Sequence, residues 1–221
     1  MYTGIVQARG RVLRLETAPH GGRLWVQFPP ALMRGLQLGA SVAVDGVCLS
    51  VVAMSGREIA FDVVQATLTH TNLADRRAGD ELNLERSARQ GAEIGGHPLS
   101  GHVSTTGTVT SAVFEGADAH LAFTVAPRWS RYLFERGFVA VDGASLTVSA
   151  VDPARGECRV QLIPDTLRRT ALRRHRPGSR VNVEVEHHTQ VLVDVVERVL
   201  AGGAAQPGIQ GSYSEGCVLS T

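Results

Sequence analysis

Apolar and polar positions alternate along most of this chain, in short runs separated by turn residues. Residues 24–28 (LWVQF), 41–54 (SVAVDGVCLSVVAM), 58–64 (EIAFDVV) and 81–85 (ELNLE) read as strands, as do 121–125 (LAFTV) and 180–186 (RVNVEVE). Asp45-Gly46 and Asp142-Gly143 sit inside such runs, where Asp-Gly marks a tight hairpin. Residues 29–36 and 127–134 open with proline and predict short helices. Near the end the period changes. In TQVLVDVVERVLA, Val191, Val195 and Val199 share a helical face flanked by Leu192 and Val196, while Asp194, Glu197 and Arg198 fall mostly elsewhere. That stripe predicts an amphipathic helix over 189–201. It serves either contact with another subunit or packing on the rest of the chain.

The alternation also repeats. VAVDGVCLSV begins at Val42 and VAVDGASLTV at Val139, so Asp45 falls on Asp142, an offset of 97 residues. The offset extends upstream, where Thr3-Gly4-Ile5-Val6 falls on Ser100-Gly101-His102-Val103. Downstream it widens to 99, placing Ala66-Thr67-Leu68 on Asp165-Thr166-Leu167 and Glu85 on Glu184. A single repetition of about 90 residues is a duplicated domain, not a solenoid. The expected fold class is all-β: two tandem homologous six-stranded Greek-key β-barrels with short helices, plus a C-terminal amphipathic helix. The expected boundaries are 1–94, 95–188, the helix 189–201 and a flexible tail 202–221.

Composition narrows the function. A balance of 22 basic and 21 acidic residues argues against a nucleic-acid binder, and 43% hydrophobic residues suffices for a packed core. There is no run of 18 apolar residues and no charged, then apolar, leader in MYTGIVQARG; no membrane span or secretory signal is expected, and the expected location is cytoplasmic. All basic side chains other than histidine are arginine, which excludes lysine Schiff-base chemistry. Cys48, Cys158 and Cys217 are odd in number and scattered, fitting neither a disulfide framework nor a zinc site. His97, His102 and the pair His187-His188 lack a thiolate or carboxylate at matching spacing, so no metal is expected.

The two copies diverge at matched positions. Cys48 stands where the second copy has Ser145, Ser50 where it has Thr147, and Ile5 where it has His102. A small polar residue in a barrel is ordinarily satisfied by backbone, but divergence at paired positions points to two related pockets with different chemistry.

In order and duplication, the segments MYTGIV, GASVAVDGVCLSV, EIGGHPLSGHV, GFVAVDGASLTV, LIPDTLRRTAL and RVNVEVE resemble the riboflavin synthase family of the duplicated-barrel type, over residues 1 to about 200. The resemblance implies a homotrimer without cofactor or metal, whose substrate is 6,7-dimethyl-8-ribityllumazine; lumazine synthase is an expected partner. Two lumazines dismutate, one ceding a four-carbon unit to the other, which becomes riboflavin. It also implies an N-barrel pocket of Gly4, Ile5 and Val6, then Cys48, Leu49 and Ser50, then Asp62, Val63, Val64, Gln65, Ala66 and Thr67. The implied C-barrel pocket holds Gly101, His102 and Val103, then Ser145, Leu146 and Thr147. Leu162, Ile163, Pro164, Asp165, Thr166 and Leu167 follow, together with Arg136 and Glu186. The implied catalytic residues are His102 as proton shuttle, with Ser41 and Cys48 as orienting or nucleophilic help. The chain departs from the family pattern at Tyr2, where phenylalanine is usual, at Ala66, where glutamate is usual, and at Glu186, where aspartate is usual. Lumazine proteins, the ligand-binding relatives without catalysis, are the alternative reading.

Overall fold

The computed structural model describes residues 1–92, 95–115 and 118–203. Strands β1 (Ala8–Ala18), β2 (Gly21–Gln27), β3 (Ser41–Val44), β4 (Val47–Ser55), β5 (Glu58–Val64) and β6 (Glu81–Arg86) close into an antiparallel barrel in the order β1-β2-β5-β4-β3-β6. Strands β7 (Thr105–Val113), β8 (His120–Thr124), β9 (Phe138–Val141), β10 (Ala144–Asp152), β11 (Glu157–Gln161) and β12 (Arg180–Val185) close a second barrel in the order β10-β11-β8-β7-β12-β9. Both are Greek keys, and closure leaves no open sheet edge. The bulges repeat too: the register slips between Val12 and Arg14 and between Val51 and Ala53, and at the matched Val109/Ser111 and Val148/Ala150.

Alternation places the core. In β4, Val47, Leu49 and Val51 enter the first barrel with Phe28 and Phe61, while Cys48 and Ser50 point out. In β10, Ala144, Leu146 and Val148 enter the second with Phe123 and Val160, and Ser145 and Thr147 point out. Cys158 belongs to this second core, and burial pushes its thiol up to about 12, so it packs as an apolar side chain. Asp45-Gly46 and Asp142-Gly143 turn with positive φ at all four positions, the pattern of a two-residue hairpin. The two turns stand back to back: a Cβ on Gly46 would lie 2.7 Å from the Gly143 nitrogen.

The proline-led helices are shorter than their sequence pattern, α1 at Pro30–Met33 and α3 at Pro127–Ser130. Two more, α2 (Gln65–His70) and α4 (Pro164–Arg169), follow the fifth strand of each barrel and were not anticipated. The C-terminal helix α5 runs His187–Gly203, starting two residues before the amphipathic stripe. Of the expected junction, Glu93 and Ile94 lie outside the described residues, as does the expected tail from 204 onward. No helix among the described residues is long and apolar enough to cross a membrane.

Candidate functional site

The outward faces of the barrels carry the paired chemistry. On the first barrel Cys48 and Ser50 on β4 lie across from Ala43 and Ser41 on β3. On the second, Ser145 and Thr147 on β10 lie across from Ala140 and Phe138 on β9. Two extended straps complete these faces, residues 1–6 and 99–103, linked by an antiparallel bridge between Tyr2 and Leu99.

A buried glutamate clamps each strap. Glu85 accepts from the Thr3 and Gly4 nitrogens at 2.7 and 3.0 Å and from Thr3 Oγ1 at 2.7 Å. Glu184 accepts from the Ser100 and Gly101 nitrogens at 2.7 and 3.2 Å and from Ser100 Oγ at 2.8 Å. Burial raises both carboxyls even against these hydrogen bonds. The repeat had aligned the two glutamates, but nothing in their strand pattern marked them as clamps.

The straps exchange barrels. The Ser145 nitrogen donates to the Gly4 carbonyl and the Cys48 nitrogen to the Gly101 carbonyl, both at 2.8 Å. Val6 belongs to the core of the second barrel, and Val103 packs on the core of the first. The expected partition of Gly4, Ile5 and Val6 to the N-barrel and of Gly101, His102 and Val103 to the C-barrel is therefore too simple: each strap is clamped by its own barrel's glutamate and packs on the other barrel through its glycine carbonyl and its valine. Each strap glycine has positive φ and no room for a side chain: a Cβ on Gly101 would stand 2.7 Å from Cys48 Cβ, and one on Gly4 2.5 Å from Ser145 Cβ.

A second correction follows from the two-residue period of strands. Leu49 and Val63 are buried in the first core, and Leu146, Leu162 and Leu167 in the second. Their side chains face barrel interiors, so only their backbone atoms are left to border an outward pocket, as Val63 does. Their neighbours Ser50, Asp62, Val64, Thr147 and Ile163 do face out.

The candidate catalytic side chains come together only in part. His102 is exposed on its strap, one residue from the Gly101 carbonyl that holds the Cys48 backbone. Ser41 is two positions along β3 from the residue that pairs with Cys48, and it lines a different space. That space is the largest cleft described, about 1050 Å³ between the first barrel and the segment 85–92 with Gly95, and Ile5, Arg34, Arg86 and Arg89 stand on its walls. Asp62, Val63 and Val64 border a shallower groove of about 430 Å³ with Glu16, His20 and Arg23. We take the strap and strand faces, rather than the largest cleft, as the site, because the strap that carries His102 binds the Cys48 backbone and the matching strap binds the Ser145 backbone.

Other expected residues already have partners. Asp62 holds Arg23 through both oxygens, at 2.7 and 3.1 Å. Gln65, Ala66 and Thr67 form the first turn of α2, and Pro164, Asp165 and Thr166 that of α4. Asp165 accepts from Arg168 and Arg169, which hold its carboxyl below the usual range; Ala66 offers nothing equivalent. Arg136 is exposed with φ at +65°, where the first copy has Gly39 in the same left-handed region. Glu186 caps α5: its carbonyl accepts from Gln190, Oε1 from the His188 nitrogen at 3.0 Å, and Oε2 from the Thr189 nitrogen at 2.6 Å. Burial would raise this carboxyl, but the bonds from Thr189 and His188 outweigh it and push it down to about 2.

Tyr2 is buried at the seam of the two barrels with Leu99, Ala43 and Ala140, and its hydroxyl donates to Cys48 Sγ at 3.1 Å. His97, also buried, places Nδ1 2.6 Å from Ser145 Oγ. Sequence reading weighed His97 only as a metal ligand, and with no counterpart in the first copy the repeat did not mark it.

A family model described as the lumazine binding domain matches residues 3–87 and again 100–186. The riboflavin synthase of Escherichia coli (strain K12) is 41% identical over 214 residues, covering 95% of this chain and 100% of that protein. The chain belongs to the riboflavin synthase family. The riboflavin synthase of Chlamydia pneumoniae is 42% identical over 201 residues, covering 91% of this chain and 98% of that one. That of Mycobacterium tuberculosis (strain CDC 1551 / Oshkosh) is 37% identical over 206 residues, covering 90% and 98%. A crystal structure of LumP complexed with riboflavin superposes with a TM-score of 0.78 at 24% identity, covering 84% of this chain and 100% of that one; this likeness shows the shared fold.

Membership places this chain's own variations in context. This member of the riboflavin synthase family carries the lumazine binding domain twice, with a strap clamped by a buried glutamate in each copy. Its Tyr2 hydroxyl is turned into the seam and partnered by Cys48, and the Glu186 carboxylate, one methylene further out than an aspartate's, is bound as a helix cap.

Proposed function

We propose that this chain is a riboflavin synthase, a transferase that converts two molecules of 6,7-dimethyl-8-ribityllumazine into riboflavin and 5-amino-6-ribitylamino-pyrimidinedione. One lumazine cedes its four-carbon unit and leaves as the pyrimidinedione; the other gains it. The atoms of two substrates equal those of the two products, so no oxidant, reductant or water enters the sum. The observation that carries this reading is the extent of the likeness to riboflavin synthases: 41% identity over 95% of the chain, through both repeats.

The chemistry asks chiefly for position. A proton must leave the C7 methyl group of one lumazine, and a nucleophile must add to the ring of the other. Holding two like heterocycles face to face supplies most of the advantage, and two homologous pockets are a direct way to do it. On this reading Cys48, Ser50, Val64 and Val103 contact one lumazine, and Ile5, Ser145, Thr147 and Ile163 the other. His102 moves the proton, with Cys48 orienting the ring, while Ser41, which lines the separate cleft, takes no part. A homotrimer would set the N-barrel face of one protomer against the C-barrel face of its neighbour. The apolar stripe of α5 supports that assembly: Val193 packs on the second core, while Val191, Leu192, Val195, Val196, Val199 and Leu200 stay exposed.

A second reading, a ligand carrier without turnover, is favoured by one observation, the Ala66 that leaves α2 without the carboxylate present on α4. The purified protein, given only the lumazine, decides between them. Steady multiple turnover, with riboflavin appearing at half the rate of lumazine loss, supports the synthase. Tight binding without riboflavin makes the protein a carrier. His102→Ala lowers kcat more than it raises KM if His102 handles the proton; a change confined to KM would make it a binding residue.

A further inference from the structure

His97 has a feature that the mechanism above does not use. Its ring stacks on Phe138, with centroids 5.1 Å apart and planes 18° apart, and its backbone nitrogen donates to the Thr3 carbonyl at 3.1 Å. Nδ1 faces Ser145 Oγ at 2.6 Å. Nε2 is buried and has no hydrogen-bond partner among the described residues.

A neutral imidazole carries one proton, and its environment decides which nitrogen holds it. Leaving a buried N–H without an acceptor is rarer and costlier than leaving a lone pair without a donor. The isolated Nε2 therefore keeps the lone pair, and the proton belongs on Nδ1. Nδ1–H donates to Ser145 Oγ. Among the described residues Ser145 Oγ has no other partner, so the serine's own proton is left free. That hydroxyl sits half-buried on the outward face of β10 beside exposed Thr147. Burial favours the neutral ring, with Glu186 pulling the other way as the charged group nearby.

We propose that His97 is a positioning residue of the C-barrel pocket, fixing Ser145 as a hydrogen-bond donor to a carbonyl oxygen or ring nitrogen of the bound heterocycle. The proposal rests on the riboflavin synthase reading. It also distinguishes the two barrels. At the matched position the first barrel has Cys48, whose sulfur accepts from Tyr2. Only the second barrel then offers a hydroxyl whose orientation is set by a buried base. When a methyl proton leaves, negative charge spreads over the heterocycle, and a donor already aimed at it stabilises that charge more than the ground state.

The test is a double-mutant cycle. His97→Phe keeps the stack and removes the hydrogen bond; His97→Asn puts an amide N–H near the place of Nδ1. His97→Phe is expected to lower kcat about tenfold with the lumazine KM within about twofold, and His97→Asn to recover most of that loss. In a Ser145→Ala background His97→Phe has no further effect. Equal losses for Phe and Asn, or an undiminished loss without the serine, overturn the proposal and make His97 a packing residue. If His97→Phe does not fold, His97→Asn against His97→Asp replaces it, since the two match in size but the ionised aspartate only accepts; equal kcat overturns the proposal. A wild-type protein that binds lumazine without turnover overturns the enzyme reading instead. The same cycle is then read on lumazine affinity, where coupling between His97 and Ser145 supports the proposal and additivity overturns it.

Discussion

Tyr2 exemplifies how a single polar atom is accommodated here. Its ring fills the seam between barrels against Leu99, Ala43 and Ala140, and Gly101 is a glycine partly because a Cβ there would stand 2.8 Å from Tyr2 Cε2. The hydroxyl has its sulfur partner and is buried with the rest of the side chain. Removing the oxygen alone leaves a weak acceptor unmet and no cavity. Tyr2→Phe should change stability by about 1 kcal/mol or less and leave lumazine turnover near wild type. Tyr2→Ala, which empties the seam, should cost about 3–5 kcal/mol. Urea unfolding of the two variants separates ring from hydroxyl; a large loss in Tyr2→Phe would show that the hydroxyl, not the ring, holds the straps. The sequence marked position 2 only as a departure from a family pattern. Its partner Cys48 is 46 residues away, and no local period connects them.

Among the elements, α5 depends on a cap that the sequence did not announce as one. A glutamate is not a usual N-cap residue, yet both Glu186 oxygens reach the first free N–H groups of the helix. The extra methylene relative to aspartate allows the side chain to arch over His188 and Thr189. Because the carboxyl is pushed down to about 2, the stability it lends is complete above the ordinary value near 4.5 and is lost as pH falls toward 2. Glu186→Gln should loosen the first turns of α5 by about 1 kcal/mol. Hydrogen exchange of the 188–196 amides at neutral pH reads this directly; unchanged protection would show that docking through Val193 and the Arg131–Asp194 pair alone fixes the helix. Most strands and the Asp-Gly turns were legible because alternation and Asp-Gly are local signals; β1, β7 and β11 were not read individually, and a bulge breaks the alternation of β1 and β7. Helices α2 and α4 were not, because six residues span under two turns and show no usable period.

The arrangement of the whole molecule was the least legible part. The repeat identifies residues 3–6 and 100–103 as equivalent, but a two-fold relation permits each strap to serve either barrel, and both choices leave the alternation unchanged. Long-range polar contacts settle it. At the pseudo-two-fold the Asn83 amide donates to the Asp142 carbonyl and the Asn182 amide to the Asp45 carbonyl, both at 2.8 Å. Arg174 then joins the two aspartates, 2.7 Å from Asp45 Oδ2 and 2.6 Å from Asp142 Oδ2, with His175 also 2.7 Å from Asp142. Burial works to raise both carboxyls. At Asp142, Arg174, His175 and Arg76 outweigh it and hold the group below the usual range, whereas Asp45, with Asp142 also against it, stays raised. Arg174→Met takes the shared cation from two fully buried carboxylates. The expected cost at pH 7.5 is about 3 kcal/mol, because Asp45 is left with Arg76 alone, at 3.3 Å, and Asp142 with His175. The sign of its pH dependence follows from Asp45. Without Arg174 its folded-state pKa rises further above the unfolded value, so the folded variant takes up a proton as pH falls and regains stability relative to wild type. Urea unfolding at pH 7.5 and pH 5 should therefore show the wild-type-to-variant gap narrowing at the lower pH. A gap that does not change with pH would mean that Arg174 joins the barrels by packing and backbone contacts, such as its bond to the Glu81 carbonyl, rather than by neutralising the buried pair.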